Sequence, residues 1–199
     1  VFTYYEKKEG FQHSLKNLLV RKQKTKEAVK NISFDIDSGD IIGFLGPNGA
    51  GKTTTLKMLS GILYPTSGEV HVLGYCPWKR QKEFKMKYSM VLGQKSQLWP
   101  DLPASETFRL NQYIYEVDER KCKMLLDELT EYLDVKHLLN VQVRRLSLGE
   151  RMKLELIASL IHSPQLIFLD EPSIGLDLVS QKKIRSFIRY WNEQYKTTV

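Results

Sequence analysis

The chain has 199 residues, a net charge of +7 and a hydrophobic fraction of 42%, enough apolar material for one domain or a domain with a small lobe attached. No run approaches the roughly 18 consecutive apolar residues of a membrane-spanning helix, and no apolar segment near the start reads as a secretory signal. Cys76 and Cys122 lie far apart without metal-ligand spacing, so they read as reduced thiols, and the four scattered histidines suggest no metal site. The chain opens on Val1 and stops at Val199 without a terminating signal, so a fragment cut at both ends is expected.

Aromatic residues Phe2, Tyr4 and Tyr5 precede a long basic segment that includes Arg21, Lys22, Lys24 and Lys26. A second basic cluster runs from Lys79 and Arg80 through Lys82, Lys85 and Lys87. Such clusters could contact nucleic acid or anionic lipid. Neither has the regular aromatic interleaving of a base-stacking platform, so both read as solvated surface. Residues 28–36 alternate with Ile32, Phe34 and Ile36 on one side, which predicts a half-buried strand. A turn at 37–40 and a short apolar strand at 41–45 follow.

The strand leads into Gly46, Pro47, Asn48, Gly49, Ala50, Gly51, Lys52 and Thr53, which meet the pattern GxxxxGK[ST] between a strand and a helix. Glycines let the backbone curl so that successive N–H groups point at phosphate oxygens, and the following helix adds its positive end. In such a loop Lys52 reaches the β- and γ-phosphates and the Thr53 hydroxyl ligates magnesium; Thr54 belongs to the same binding set. The run is a phosphate-binding loop, so a nucleoside triphosphate with magnesium is the expected ligand.

The helix carries Leu56, Met58 and Leu59 and extends to residue 62; a turn at 65–68 and an alternating strand at 69–73 come next. Residues 88–92 predict a buried strand ending at Gly93 and Gln94. From there to about residue 146 the character is helical. Ser105 is the predicted N-cap of a helix through residue 114. A second helix begins near Asp118, with Cys122, Leu125, Leu126, Leu129 and Leu133 on one apolar face. A third follows Ser147, whose spacing to Glu150 makes a capping box, and residues 166–169 form a fully apolar strand. That strand ends in Asp170, positioned to hold magnesium, and Glu171, which could polarise a water for in-line attack.

Taken together, Gly46 to Thr53, Gln94, Leu146 to Glu150, Asp170 with Glu171, and Ile174 to Asp177 resemble the ATP-binding domain of ABC transporters over nearly the whole chain. The resemblance implies an α/β fold of the phosphate-loop NTPase type, a mostly parallel sheet core with an antiparallel β layer and an α-helical lobe. Residues 1–93 and 151–199 would form the catalytic core, and 94–150 the lobe. It further implies an ATPase that dimerises around ATP and drives an integral membrane permease from the cytoplasmic face of the membrane. Ser147 and Gly149 of one subunit would bind the γ-phosphate held by the loop of a second, and Asp177 would belong to the loop linking the two sites. Gln94 matches the glutamine that touches magnesium and senses the membrane partner. Tyr5 and Phe2 are the favoured candidates for stacking on adenine. The family's switch histidine would lie beyond Val199.

Leu148 and Glu150 depart from the usual Leu-Ser-Gly-Gly-Gln signature, and such variants resemble the exporter subfamily that pairs with separate ABC-2-type permeases. A soluble ABC-type ATPase acting on nucleic acid or ribosomes is the rival reading; nucleic acid is not the expected partner.

Overall fold

The computed structural model describes residues 2–5, 23–93 and 95–199, with the backbone alone for 2–5 and 23–26. Two compact units emerge: the described parts of 1–35 together with 44–78, and 36–43 together with 79–199.

In the first unit, β1 (Phe2–Tyr5) pairs antiparallel with β2 (Gln23–Lys26), Phe2 opposite Lys26 and Tyr5 opposite Gln23. Strands were expected over 28–36 and 69–73 instead. Neither segment is a strand. A strand exists only as part of a hydrogen-bonded ladder, and 28–36 has no such neighbour among the described residues. Ile32, Phe34 and Ile36 are exposed, although the Phe34 and Phe44 rings meet edge to face at 5.5 Å. Around 69–73 the pairing shrinks to one bridge, Val72 with Tyr75, closed by N–H···O bonds of 2.8 and 2.9 Å. Leu73 and Gly74 between them have φ of +52° and +78°, the backbone of a two-residue hairpin turn whose central residues are both left-handed.

Helix α1 (Lys52–Leu59) buries Thr55 and Leu56. It stops three residues short of the expected end because Gly61 turns the chain at φ +73° and its N–H caps the Met58 carbonyl at 3.1 Å. A Cβ on Gly61 would lie 2.3 Å from the Pro77 carbonyl oxygen, so only glycine fits there.

The second unit is built on a parallel pair, β3 (Tyr88–Leu92) and β4 (Leu166–Asp170), with Tyr88 opposite Leu166 and Leu92 opposite Asp170. The ladder continues outward. The Ile167 N–H donates to the Thr198 carbonyl and the Thr198 N–H to that of Gln165. The Ile42 N–H then donates to the Val199 carbonyl and the Val199 N–H to that of Asp40, both at 2.8 Å. Residues 40–42 therefore join the sheet, but 43–45 have no ladder partner among the described residues. The strand expected over 41–45 is not formed, and Leu45 is 96% exposed. The turn at 37–40 does form, with Gly39 at φ +90° and a bond of 3.3 Å from the Asp40 N–H to the Asp37 carbonyl.

Short α2 (Lys82–Lys85) precedes β3 and buries Phe84. Helix α3 (Ala104–Ile114) starts from Pro103, not from the expected Ser105. The Ser105 N–H is satisfied by the Leu139 carbonyl at 3.2 Å, so that first-turn donor needs no side-chain cap. Helix α4 (Glu119–Tyr132) is capped by Asp118, whose carboxylate accepts the Lys121 N–H at 3.0 Å, and it buries Cys122, Leu125 and Leu129 as the apolar stripe predicts. Helices α5 (Leu148–Leu160) and α6 (Leu178–Tyr195) complete the unit. Leu154, Leu156, Ile157, Leu160, Ile184, Phe187 and Trp191 fill the core, each buried large side chain contributing about 1.5–3 kcal/mol. Glu128 on α4 accepts both the Tyr190 and Tyr195 hydroxyls of α6 at 2.8 and 2.7 Å. His162 is stacked on Tyr115 at 3.7 Å, and burial pushes its imidazole down to about 4.

Trp191 governs how the sheet's outer edge is held. Its Nε1–H donates to Thr197 Oγ1, which donates to the Pro164 carbonyl, and Asn192 next to it donates to the carbonyls of Gly39 and Thr197. Trp191 is 1% exposed and Trp99 55%. Trp191→Ala is expected to cost about 3–5 kcal/mol in urea denaturation, and Trp99→Ala under about 1 kcal/mol.

Candidate functional site

Gly46 to Gly51 form an exposed loop entering α1. The Ala50 N–H donates to the Pro47 carbonyl at 3.2 Å, and Gly49 and Gly51 have φ of +82° and +93°. Gly51 is also a close approach: a Cβ there would lie 2.4 Å from the Ala28 carbonyl oxygen and 2.9 Å from Val29 Cγ2. Gly51 is the N-cap of α1 and offers no side-chain cap, and the first turn carries no acidic residue. The helix thus presents its N-terminal dipole and backbone donors without a competing carboxylate, which suits an anion. Lys52 curls back over the loop, its Nζ donating to the Gly46 and Pro47 carbonyls at 2.8 and 3.0 Å. The ammonium is therefore held beside the donors that would face a phosphate. Thr53 and Thr54 follow in the first turn, both partly buried.

In the other unit the carboxylates stand at the end of β4. The Gly93 N–H donates to the Asp170 carbonyl at 2.9 Å, and a Cβ on Gly93 would lie 2.5 Å from the Glu171 carbonyl oxygen. Gly93 lets the ends of β3 and β4 close up. Asp170 is the last residue of the strand and partly buried. Glu171 is exposed with φ +53°, a left-handed conformation uncommon for a non-glycine residue. It swings the chain off the strand axis and takes the carboxylate into solvent. Gln94 lies outside the described residues, as do the side chains of Phe2 and Tyr5, whose backbones are in β1.

Ser147 caps α5 as the spacing predicts. Its N–H and its hydroxyl both donate to Glu150 Oε2 at 2.8 Å, and its Oγ accepts the Glu150 N–H at 3.3 Å. The backbone N–H and hydroxyl of Ser147 hold the Glu150 carboxyl below its ordinary range. Glu150 thereby spends its charge on its own helix end. Asp177 does the same for α6, accepting the Ser180 hydroxyl at 2.6 Å and the Ser180 N–H at 2.9 Å, which lower its carboxyl.

Two residues escaped the sequence reading. Glu155 on α5 is 3% exposed, and both its oxygens face the Gln97 N–H at 2.9 and 3.0 Å. The amide of Gln97 in turn donates to the Met90 carbonyl of β3. The signal was available as an acid inside the apolar run from Leu154 to Ile157. Ser180 had only its spacing of three from Asp177.

A family model described as ABC transporter matches residues 29–174. The chain is 32% identical to the ABC transporter ATP-binding protein NatA of Bacillus subtilis over 176 residues, 88% of this chain and 72% of NatA. It is 32% identical to the bacitracin transport ATP-binding protein BcrA of Bacillus licheniformis over 88% of this chain, but it spans only 56% of BcrA. A solved dimer of an ATP-binding cassette in a post-hydrolysis state with ADP and phosphate superposes with TM-score 0.74 at 25% identity, covering 88% of this chain and 81% of that one. Another solved ATP-binding subunit of an ABC transporter gives TM-score 0.75 at 23% identity, covering 84% and 69%.

Glu155→Ala would leave the partly buried Gln97 N–H without its acceptor, which costs about 1–3 kcal/mol. Chemical denaturation is expected to read that loss, with a smaller one for Glu155→Gln, which keeps a carbonyl acceptor.

Proposed function

Since the chain belongs to the ABC transporter family and is an ATP-binding and ATP-hydrolysing domain of it, we propose that it works as one half of a nucleotide-gated pair. The observation that carries this is the phosphate loop itself: Lys52 folded over Gly46 and Pro47 at the mouth of a helix end free of acidic residues. On binding ATP, Lys52 exchanges those two carbonyls for the β- and γ-phosphate oxygens, and the backbone donors from Asn48 to Thr54 cradle the rest. Ser147 and Gly149 of the second copy close over the γ-phosphate, and Tyr5 or Phe2 covers the adenine.

Thr53 and Asp170 each carry an oxygen donor of the kind a hard cation such as magnesium takes, as does Gln94. Held by these donors, magnesium would neutralise phosphate charge, the usual contribution in phosphoryl transfer. Glu171 accepts the proton of the attacking water; its carboxylate is exposed and turned off the strand, which supports that role.

The second partner is an integral membrane permease of exporter type, reached at the cytoplasmic face. No helix among the described residues is long and apolar enough to cross a membrane. Residues 94–150 form the helical lobe that meets it, while 1–93 and 151–199 form the catalytic core. Exposed Trp99, Tyr113 and Ile114 in that stretch suit an apolar docking contact. The names of NatA and BcrA, a transport ATP-binding protein in the second case, support a transport role.

Lys52→Ala is expected to weaken binding of a fluorescent ATP analogue at least about 100-fold, the scale of losing a charge-assisted phosphate contact; unchanged affinity would overturn the loop assignment. Glu171→Gln is expected to bind ATP as the wild type does, lose more than about 99% of turnover, and accumulate an ATP-bound dimer in analytical ultracentrifugation. Normal hydrolysis by that variant would place water activation elsewhere.

A further inference from the structure

Gly149 is buried in the first turn of α5, and its φ is not among the positive values. An ordinary helical position favours alanine over glycine by about 1 kcal/mol, so backbone conformation does not explain the glycine. The surroundings do. A Cβ at 149 would lie 2.6 Å from Ser180 Oγ, 3.2 Å from Ser180 Cβ and 3.9 Å from Asp177 Oδ2. The first distance is shorter than real Cβ contacts allow. Ser180 has little room to give way, because its hydroxyl donates to Asp177 Oδ2 at 2.6 Å and its N–H to Oδ1 at 2.9 Å.

A second contact joins the same two segments. Gly175 has φ +74°, and a Cβ there would meet Leu148 Cδ2 at 3.2 Å. Leu148, which stands where a glycine is usual in the signature, thus packs on a glycine of the loop 174–177. The large residue sits on one side of the contact and the small one on the other, at both positions. Gln181 ties the loop further, its Nε2 donating to the Leu176 carbonyl at 2.9 Å.

We propose that residue 149 is glycine to admit Ser180, and that this seating positions the signature turn, 147–150, against the loop 174–177 of the same chain. Ser180 is a positioning residue and touches no nucleotide. The two segments then face the second copy as one body, so a displaced turn carries Ser147 out of reach of the γ-phosphate. The inference rests on the nucleotide-gated pair proposed above.

The test is mutual rescue in the full-length subunit, reading three quantities: binding of a fluorescent ATP analogue to the monomer, the ATP-dependent dimer fraction, and kcat against KM. Gly149→Ala is expected to leave monomer binding within about twofold and to weaken ATP-dependent dimerisation and kcat at least about tenfold. Ser180→Gly is expected to stay within about threefold of wild type, because the backbone N–H at 180 still caps onto Asp177. The double variant Gly149→Ala, Ser180→Gly is expected to recover at least about threefold in ATP-dependent dimerisation and kcat over Gly149→Ala alone. Ser180→Leu, which adds bulk from the other side, is expected to reproduce the loss with Gly149 intact.

A double variant as impaired as Gly149→Ala would overturn the proposal and leave nucleotide approach as the reason for the glycine. So would wild-type dimerisation by Gly149→Ala or by Ser180→Leu. If Gly149→Ala does not fold, recovery of folded protein in the double variant supports the proposal, and failure of both overturns it. A wild-type subunit that binds ATP without dimerising would refute the pair itself; the folding stabilities of the same four variants then still read the contact.

Discussion

Parallel pairing of β3 with β4 is the constraint on which the rest of the second unit depends. Parallel strands cannot be joined by a tight turn, so the chain between Leu92 and Leu166 must leave the sheet and return. It does so through α3, α4 and α5; α5 lies against β3, with α3 and α4 packed on it around Leu129, Leu154 and Ile157. The register puts Leu92 opposite Asp170 and brings Gly93 against Glu171. A side chain at 93 would push the strand ends apart, and the carboxylates would move with them. The same sheet reaches the segment before the phosphate loop through Thr198 and Val199, which pair with Ile167 on one side and Ile42 on the other.

Close backbone approach recurs wherever the candidate site is built. Gly51 lies against Ala28, Gly93 against Glu171 and Gly149 against Ser180. Only the first needs a left-handed backbone as well. A glycine in a motif is therefore not evidence of ligand contact by itself. At all three positions a neighbouring segment of the same chain already accounts for the missing side chain.

Charge follows a similar local logic. Glu150 and Asp177 both sit at helix starts, and each is consumed by the N–H and hydroxyl groups of a serine three residues away. The first turn of α1 carries no such acid. Among these three helix ends, the one preceded by the glycine loop lacks a carboxylate of its own, and it is the one read as the nucleotide site.

What the residues alone determined was what depends on local spacing: the glycine loop and its helix, the Ser147 capping box, the apolar face of α4, and the two runs that became β3 and β4. Each is decided within one or two turns or one strand, where periodicity and capping chemistry act. The alternation at 28–36 and 69–73 and the apolar run at 41–45 were as clear, yet none of these is a strand. A ladder needs a partner at the right distance and register, and no local pattern supplies one. Ser105 failed as a cap for a related reason, since a carbonyl from Leu139 had already satisfied the helix start. The buried Glu155 and the seating of Gly149 on Ser180 likewise join residues 58 and 31 apart in the chain. The sequence decided which chemistry is present, and tertiary packing decided which groups are already engaged, because hydrogen-bond partners and close contacts are set by distance in space.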